Sequence, residues 1–506
     1  MRPLVKLAVS IAVVFTLSFF LMSILHVSGP LGDRIAGMVA EYRGGAPLDL
    51  NSLQADVAQS IALTIFFTVI IATVMKMEWR VAAAITGVGV LAITGLTPPQ
   101  NMIYRAIDWR LLVFLIGSMT LAGILREAGV FNRLAVSLVE KSTSAFRLLL
   151  LLGLFSALLS MILGEVTSII YAVLVVLELR RVLEIDVKPL IVYTVLATNT
   201  GSVALPVGNP IGVYIAFTAN ISVAEFLAKC LPLSLLEVLV LILVYRLVLS
   251  NYVERLNGEL KQSRELIAKL TAARTIDVTP VMARHTRIGL LILAVFTGLV
   301  VLNEKLAEAM SLATGVPVDP DSLLAFIPYL SIALALLLAD PSSMDKLLSS
   351  AVEWPSIIFF MSLFILSYAL SYTGAIAKIA YGIAMFSEPG SFTGNMLVVG
   401  VLLAASAMLS SVLDNLSVIV ALTQPVTILV QLGLSRVSYL ALLYGGVFGG
   451  NYTPIGSTAN IVAVSMAERE KIAVSWGEWL RIALVSTTLQ ITVALLWSYL
   501  WLLAGG

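Results

Sequence analysis

Two carboxylates stand where a chain this apolar can least accommodate them: Glu165 in "GEVTS" and Asp414 in "SSVLDNLS", each inside a long hydrophobic run. An acidic side chain at bilayer depth is costly unless it is paired, hydrated or protonated, which makes it a natural carrier of a proton or a cation. A carboxylate also caps a helix N-terminus well, and the two roles are compatible. Elsewhere "LPVGNP" (205–210) and "TPIGST" (453–458) string together poor helix formers in equally apolar surroundings. Opened backbone of this kind exposes carbonyls, which with hydroxyl and amide oxygens are hard ligands suited to Na+. Half-helix N-termini at such breaks favour an anion.

What must position these groups is a membrane-embedded frame. The 506 residues are 59% hydrophobic and only 12% charged, with a mean hydropathy of +1.00, far from the balance of a soluble domain. Runs of the about 20 apolar residues that a span needs recur along nearly the whole chain, among them "LAVSIAVVFTLSFFLMSIL" and "IGLLILAVFTGLVVL". The expectation is an all-α polytopic protein of the inner or plasma membrane, with about 11 spans and the lipid bilayer as its surroundings. A net charge of +1 makes no case for nucleic acid, and the lone Cys230 excludes an internal disulfide or a cysteine metal cluster. Two histidines are too sparse for a metal site, and no Walker-type glycine loop is present. Nothing points to an enzyme, to catalytic residues or to a cofactor.

Charge sets the orientation. Arg2 and Lys6 flank the first span, Lys76 and Arg80 follow the second, and Arg126 and Arg147 follow the fourth. The intervening connections are acidic, with Asp33, Glu41, Asp49 and Asp56 early and Glu304, Glu308, Asp319 and Asp321 later, so the N-terminus is predicted to be cytoplasmic. The basic segment 251–285 then lies inside as well. Its stripe Val253, Leu256, Leu260, Ile267 and Leu270 has helical spacing and predicts an amphipathic linker at the inner surface.

The chain repeats. "IDWRLLVFLIGSMTLAGILREAGVFNRLA" (107–135) aligns without a gap on "VEWPSIIFFMSLFILSYALSYTGAIAKIA" (352–380), pairing Trp109 with Trp354, Gly129 with Gly374 and Ala135 with Ala380. The topology puts the first segment outside and the second inside, so the halves are inverted, an arrangement typical of secondary transporters. The apolar part of residues 147–181 would be about 45 Å long as one helix, against a hydrocarbon core of about 30 Å, and the segment carries Arg147 and Arg181 at its ends. A re-entrant hairpin turning near "GEVTS" satisfies length and charge together. Its partner is 396–434, turning near "SSVLDNLS". The organisation read from the sequence is a first helix and external loop (1–55), repeat 1 (56–250, broken helix 189–217), the linker (251–285) and repeat 2 (286–506, broken helix 437–466).

"IDWRLLVFLIG…LREAGVF", "VLDNLSVIVALTQPV" and "GGNYTPIGSTANIV" resemble the ion transporter superfamily. That superfamily includes arsenite permeases, sodium/proton antiporters, citrate-transporter-like permeases and, more distantly, divalent anion/sodium symporters. The resemblance covers about residues 56 to 506. It implies a re-entrant hairpin and a broken transmembrane helix in each half, a homodimer through scaffold helices, and elevator-type movement of the transport portions. It also implies substrate- and ion-binding residues. At the second hairpin tip these are Ser410, Asp414 and Asn415, and at the second break Gly450, Asn451, Thr453, Pro454, Gly456, Ser457 and Asn460. In the first half they are Thr198, Asn199, Thr200, Gly201, Gly208 and Asn209 in "TNTGSVALPVGNPIG", with Glu165 and Thr167 at the hairpin tip. Asn415, Thr453 and Ser457 are the candidate Na+ ligands. The first site departs from the pattern, with Gly164-Glu165 in place of Asp-Asn and Asn209 in place of Asp before proline.

The resulting expectation is a secondary transporter moving a small anion or oxyanion, arsenite-like or a carboxylate, with H+ or Na+ as the coupling ion. The alternatives are Na+/H+ exchange and, from another class, a non-transporting membrane scaffold.

Overall fold

In a computed structural model, residues 2–128, 130, 141–180, 186–262, 280–336 and 344–505 are described. Arg181 of the first hairpin, Ile267 and Leu270 of the linker stripe, and Gly129 and Ala135 of the repeat lie outside them. The described residues form helices throughout, as the apolar composition demands, because a backbone in lipid must satisfy its own hydrogen bonds. Among them, 7 helices are long and apolar enough to span a membrane. The number is 8 if His285–Val301 and Asn303–Thr314, bent by 75°, count as one span. Several further apolar runs among the described residues form shorter helices, such as Pro210–Ala219 and Asn415–Gln431. The expected external loop also contains a helix, Gly29–Tyr42, which buries Gly32, Ile35 and Val39.

The element series of the two halves correspond. Trp109–Glu127 and Trp354–Tyr372 each have 19 residues, as do Ala145–Leu163 and Phe392–Ser410. Short second arms follow, Glu165–Arg180 and Asn415–Gln431, then interrupted helices, Lys188–Ser202 with Pro210–Ala219 and Val437–Gly449 with Thr458–Arg469.

The chain divides into two compact units. The first comprises Met1–Trp109, Trp354–Leu442 and Leu495–Gly506. Its Leu53–Met75 helix starts at Ser52, whose hydroxyl accepts from the Ala55 amide, and it packs on Arg2–Ile24 and Arg80–Ile93. Inside this unit Lys378, 1% exposed, donates to Asp56 Oδ1 and, at 2.8 Å, to the Met22 carbonyl. The pair ties three chain segments together through one ammonium group.

The second unit comprises Arg110–Glu353 and Leu443–Ala494. Here Ala145–Leu163 and Glu165–Arg180 pack on each other and on Lys188–Ser202. Gly164 joins the first two with φ +83, a left-handed conformation that a side chain rarely adopts, which lets the chain turn within one residue. A Cβ at Gly201 would collide with the Ala157 backbone, so glycine there allows the first hairpin arm and the interrupted helix to touch. The linker helix Ser250–Gln262 buries Leu256 and Leu260 in the same hydrophobic core. These two residues of its apolar stripe are therefore covered by protein.

Removing one member of a buried ion pair leaves a charge stranded. Lys378→Met is expected to destabilise the protein by about 3–5 kcal/mol, and Lys378→Met with Asp56→Leu to recover most of that. Thermal unfolding of the purified variants checks both; a double variant no more stable than the single one would contradict the pairing argument.

Candidate functional site

A helix that stops inside an apolar protein frees amides and carbonyls that need partners. The two breaks, both in the second unit, solve this in the same way. After Lys188–Ser202 the chain passes through a short 3-10 turn, Pro206–Gly208, and restarts at Asn209, whose Oδ1 accepts from the Gly212 amide. After Val437–Gly449 it passes through Gly450–Tyr452 and restarts at Ser457, whose Oγ accepts from the Asn460 amide at 3.3 Å. Each loop folds back on itself. A Cβ at Gly208 would strike Ser202 O, and one at Gly456 would strike Gly450 O, so glycine is required at equivalent places of the two halves.

The two breaks meet. Asn199 Nδ2 donates to Asn451 Oδ1 at 2.8 Å, to Asn460 Oδ1 at 2.9 Å and to Ser457 Oγ at 3.2 Å. Ser457 Oγ donates to Asn460 Oδ1 at 2.6 Å. Asn460 Nδ2 in turn donates to the Gly450 and Thr453 carbonyls, both at 2.8 Å, which closes the second loop. Asn451 Nδ2 reaches Gln490 Oε1 at 3.2 Å, and Gln490 Nε2 reaches Thr200 Oγ1 at 2.7 Å. On the first side Ser202 Oγ donates to Asn199 O, and Asn209 Nδ2 to Ser202 O and Oγ. These side chains are all buried. The network is neutral, built from amides and hydroxyls, so it can be held in a low dielectric without stranding a charge.

The sequence-predicted residues divide accordingly. Asn199, Thr200, Asn209, Gly450, Asn451, Thr453, Ser457 and Asn460 enter this one network. Thr198 does not: its hydroxyl donates back to Thr194 O within its own helix. Gly201 serves helix contact and Gly208 and Gly456 serve the loops; Pro454 is buried. Among the candidate Na+ ligands, Ser457 Oγ is engaged by Asn199, Asn460 Oδ1 and the Asn460 amide, and the Thr453 carbonyl by Asn460.

The first hairpin tip lies beside the first break, since a Cβ at Gly164 would sit 3.7 Å from Gly208 O. Glu165 there is 8% exposed, with Thr167 half-buried next to it. The fully buried hydroxyls of Ser160 and Ser168 flank this turn and have no hydrogen-bond partner among the described residues.

Ser410, Asp414 and Asn415 belong to the first unit. Asp414 caps Asn415–Gln431, its Oδ2 accepting from the Ser417 amide at 3.2 Å and the Ser417 hydroxyl at 3.1 Å. The capping role considered for it is thus present. Asn415 Oδ1 accepts from Ser410 Oγ, while its buried Nδ2 has no partner among the described residues.

Three participants, and one buried acid outside the network, were not anticipated from the sequence. Gln490, Ser202 and Trp479, whose Nε1 donates to Asn451 O at 3.1 Å, complete the network. Glu237 is a buried acid within the Val223–Val248 helix. The signal for Gln490 and Glu237 was available, since a lone amide or acid inside a long apolar run marks an interior position.

Known proteins place this geometry in context. An uncharacterized transporter of Mycobacterium tuberculosis is 27% identical over 453 residues, covering 87% of this chain and 98% of its own length. The P protein of Homo sapiens is 25% identical over 498 residues, covering 87% of this chain and 59% of its own. The solved YdaH transporter of Alcanivorax borkumensis shares the fold, with a TM-score of 0.51 at 15% identity over 79% of this chain and 85% of its own. The family model described as citrate transporter, CitMHS, matches residues 67–427. This multi-pass membrane protein, with its paired interrupted helices, belongs to the CitMHS citrate transporter family of membrane transporters.

Proposed function

We propose that the chain is a secondary active transporter that moves a small carboxylate or oxyanion with H+ or Na+ as the coupling ion. The observation that carries this reading is the meeting of two interrupted helices in one buried, uncharged amide network. Half-helix N-termini offer an anion backbone amides and a favourable dipole, while the opened carbonyls and hydroxyls offer a cation hard oxygen ligands. The family description favours a carboxylate over arsenite. Elevator-type movement against a dimeric scaffold is the part of the reading that rests on the family resemblance alone.

Na+/H+ exchange is the second reading, favoured by Glu165 buried at the first tip beside the break. Flux in proteoliposomes separates the two. Anion uptake driven by a pH or Na+ gradient supports the first; Na+-dependent proton movement without any anion supports the second. If neither gradient moved any tested carboxylate, oxyanion or Na+, both would fall.

Three substitutions sharpen the test. Asn199→Ala strips Asn451 Oδ1 of its donor, at a cost of about 1–3 kcal/mol for the stranded acceptor. It should lower thermal stability by that order and reduce flux; wild-type values for both would remove Asn199 from the site. Asp414→Asn is expected to abolish coupled flux while the protein still folds, and unchanged transport would exclude Asp414 from coupling. Glu165→Gln should shift the pH profile of uptake if Glu165 carries a proton, and a superimposable profile would end that assignment.

A further inference from the structure

The Val223–Val248 helix holds Glu237 near its midpoint, fully buried, and neither Oε1 nor Oε2 has a hydrogen-bond partner among the described residues. Glu237 shares a helix face with Ser234, Val238 and Leu241, the face turned toward Ala145–Leu163 and Lys188–Ser202. One turn away, Ser234 Oγ donates to the Thr200 carbonyl at 2.9 Å, and Thr200 Oγ1 takes the amide of Gln490. Glu237 therefore lies one helical turn from a residue that touches the network joining the two breaks.

Among the described residues, no cationic side chain bonds to it. Of the elements that pack on its helix, Ala145–Leu163 carries Arg147, and Lys188–Ser202 carries Lys188 and Tyr193. Ser250–Gln262 carries Tyr252, Glu254, Arg255, Glu259 and Lys261, and Pro280–Val301 carries His285 and Arg287 among its described side chains. None hydrogen-bonds either oxygen. Lys188 is engaged by Glu478 at 2.6 Å, and Tyr193 Oη donates to Leu149 O. On its own helix Lys229 pairs with Glu225, and Cys230 contacts Tyr444. A carboxylate left with two bare oxygens in such a place is untenable, whereas a neutral acid is tolerable.

We propose that Glu237 is the proton-binding carboxyl of the transport cycle, protonated in the conformation described here and deprotonated when the network opens to water. In the opening step its O–H bond breaks, the proton passes to a water molecule as hydronium, and the carboxylate remains hydrated until it is reprotonated. The inference rests on the transporter reading and specifies its coupling ion as H+. A carboxyl that is merely a fixed neutral packing group would never exchange its proton.

Two measurements test this. In proteoliposomes, Glu237→Gln mimics the protonated acid. It should keep solute exchange at equilibrium near the wild-type level while losing accumulation driven by a pH gradient about tenfold, the size of an ordinary coupling between two ligands. Undiminished pH-driven accumulation in that variant overturns the proposal. Infrared difference spectra of purified protein between acidic and alkaline buffer should contain a protonated-carboxyl C=O band that is absent from Glu237→Gln, or shifted in Glu237→Asp if the glutamine variant does not fold. If this band is missing from wild type, or does not respond to pH, Glu237 is not the proton site. The infrared arm needs no substrate, so wild type lacking all flux would refute the transporter reading separately from the proton assignment.

Discussion

Interrupting a helix inside an apolar protein is the constraint from which the rest of this structure follows. Each break between Ser202 and Asn209, and between Gly449 and Ser457, releases backbone groups that neither lipid nor aliphatic side chains can satisfy. The chain answers with short amides and hydroxyls at fixed spacing. Asn209 and Ser457 cap the outgoing halves, Gly208 and Gly456 let the loops fold back on a carbonyl, and Asn199, Asn451 and Asn460 link one break to the other. Because every member is uncharged, the cluster can be held in a low dielectric without stranding a charge.

The two units place their polar groups differently. In the first, Asp56 and Lys378 form a buried ion pair whose members depend on each other, the kind of contact that holds a frame in one arrangement. In the second, the breaks are held by neutral hydrogen bonds, and the unit also buries two acids, Glu165 and Glu237.

The interrupted and hairpin elements were legible in the sequence because their cause is local. Gly164, "LPVGNP" and "TPIGST" are poor helix formers in apolar surroundings, and the structure breaks at each of them. The linker stripe Leu256 and Leu260 was legible as an amphipathic face, but its period could not tell protein from membrane surface; the structure covers it with the core around Leu148 and Ile242. The number of full-length spans was not legible, because an apolar run of 10–17 residues and one half of a longer span look alike in composition.

The site shows the same division. Residue types alone determined that "TNTGSVALPVGNPIG" and "FGGNYTPIGSTANIV" would open the backbone and that oxygens and amides would gather there. Only the tertiary structure decided that Asn199 reaches across to Asn451, Ser457 and Asn460, that Gln490 bridges to Thr200, and that Glu237 is buried with no hydrogen-bond partner among the described residues. The physical reason is range. Helix breaking and capping act within a few residues and are written in the local sequence. A hydrogen bond between residues some 250 positions apart, like the burial of one acid among neighbours from other helices, exists only once the helices have packed.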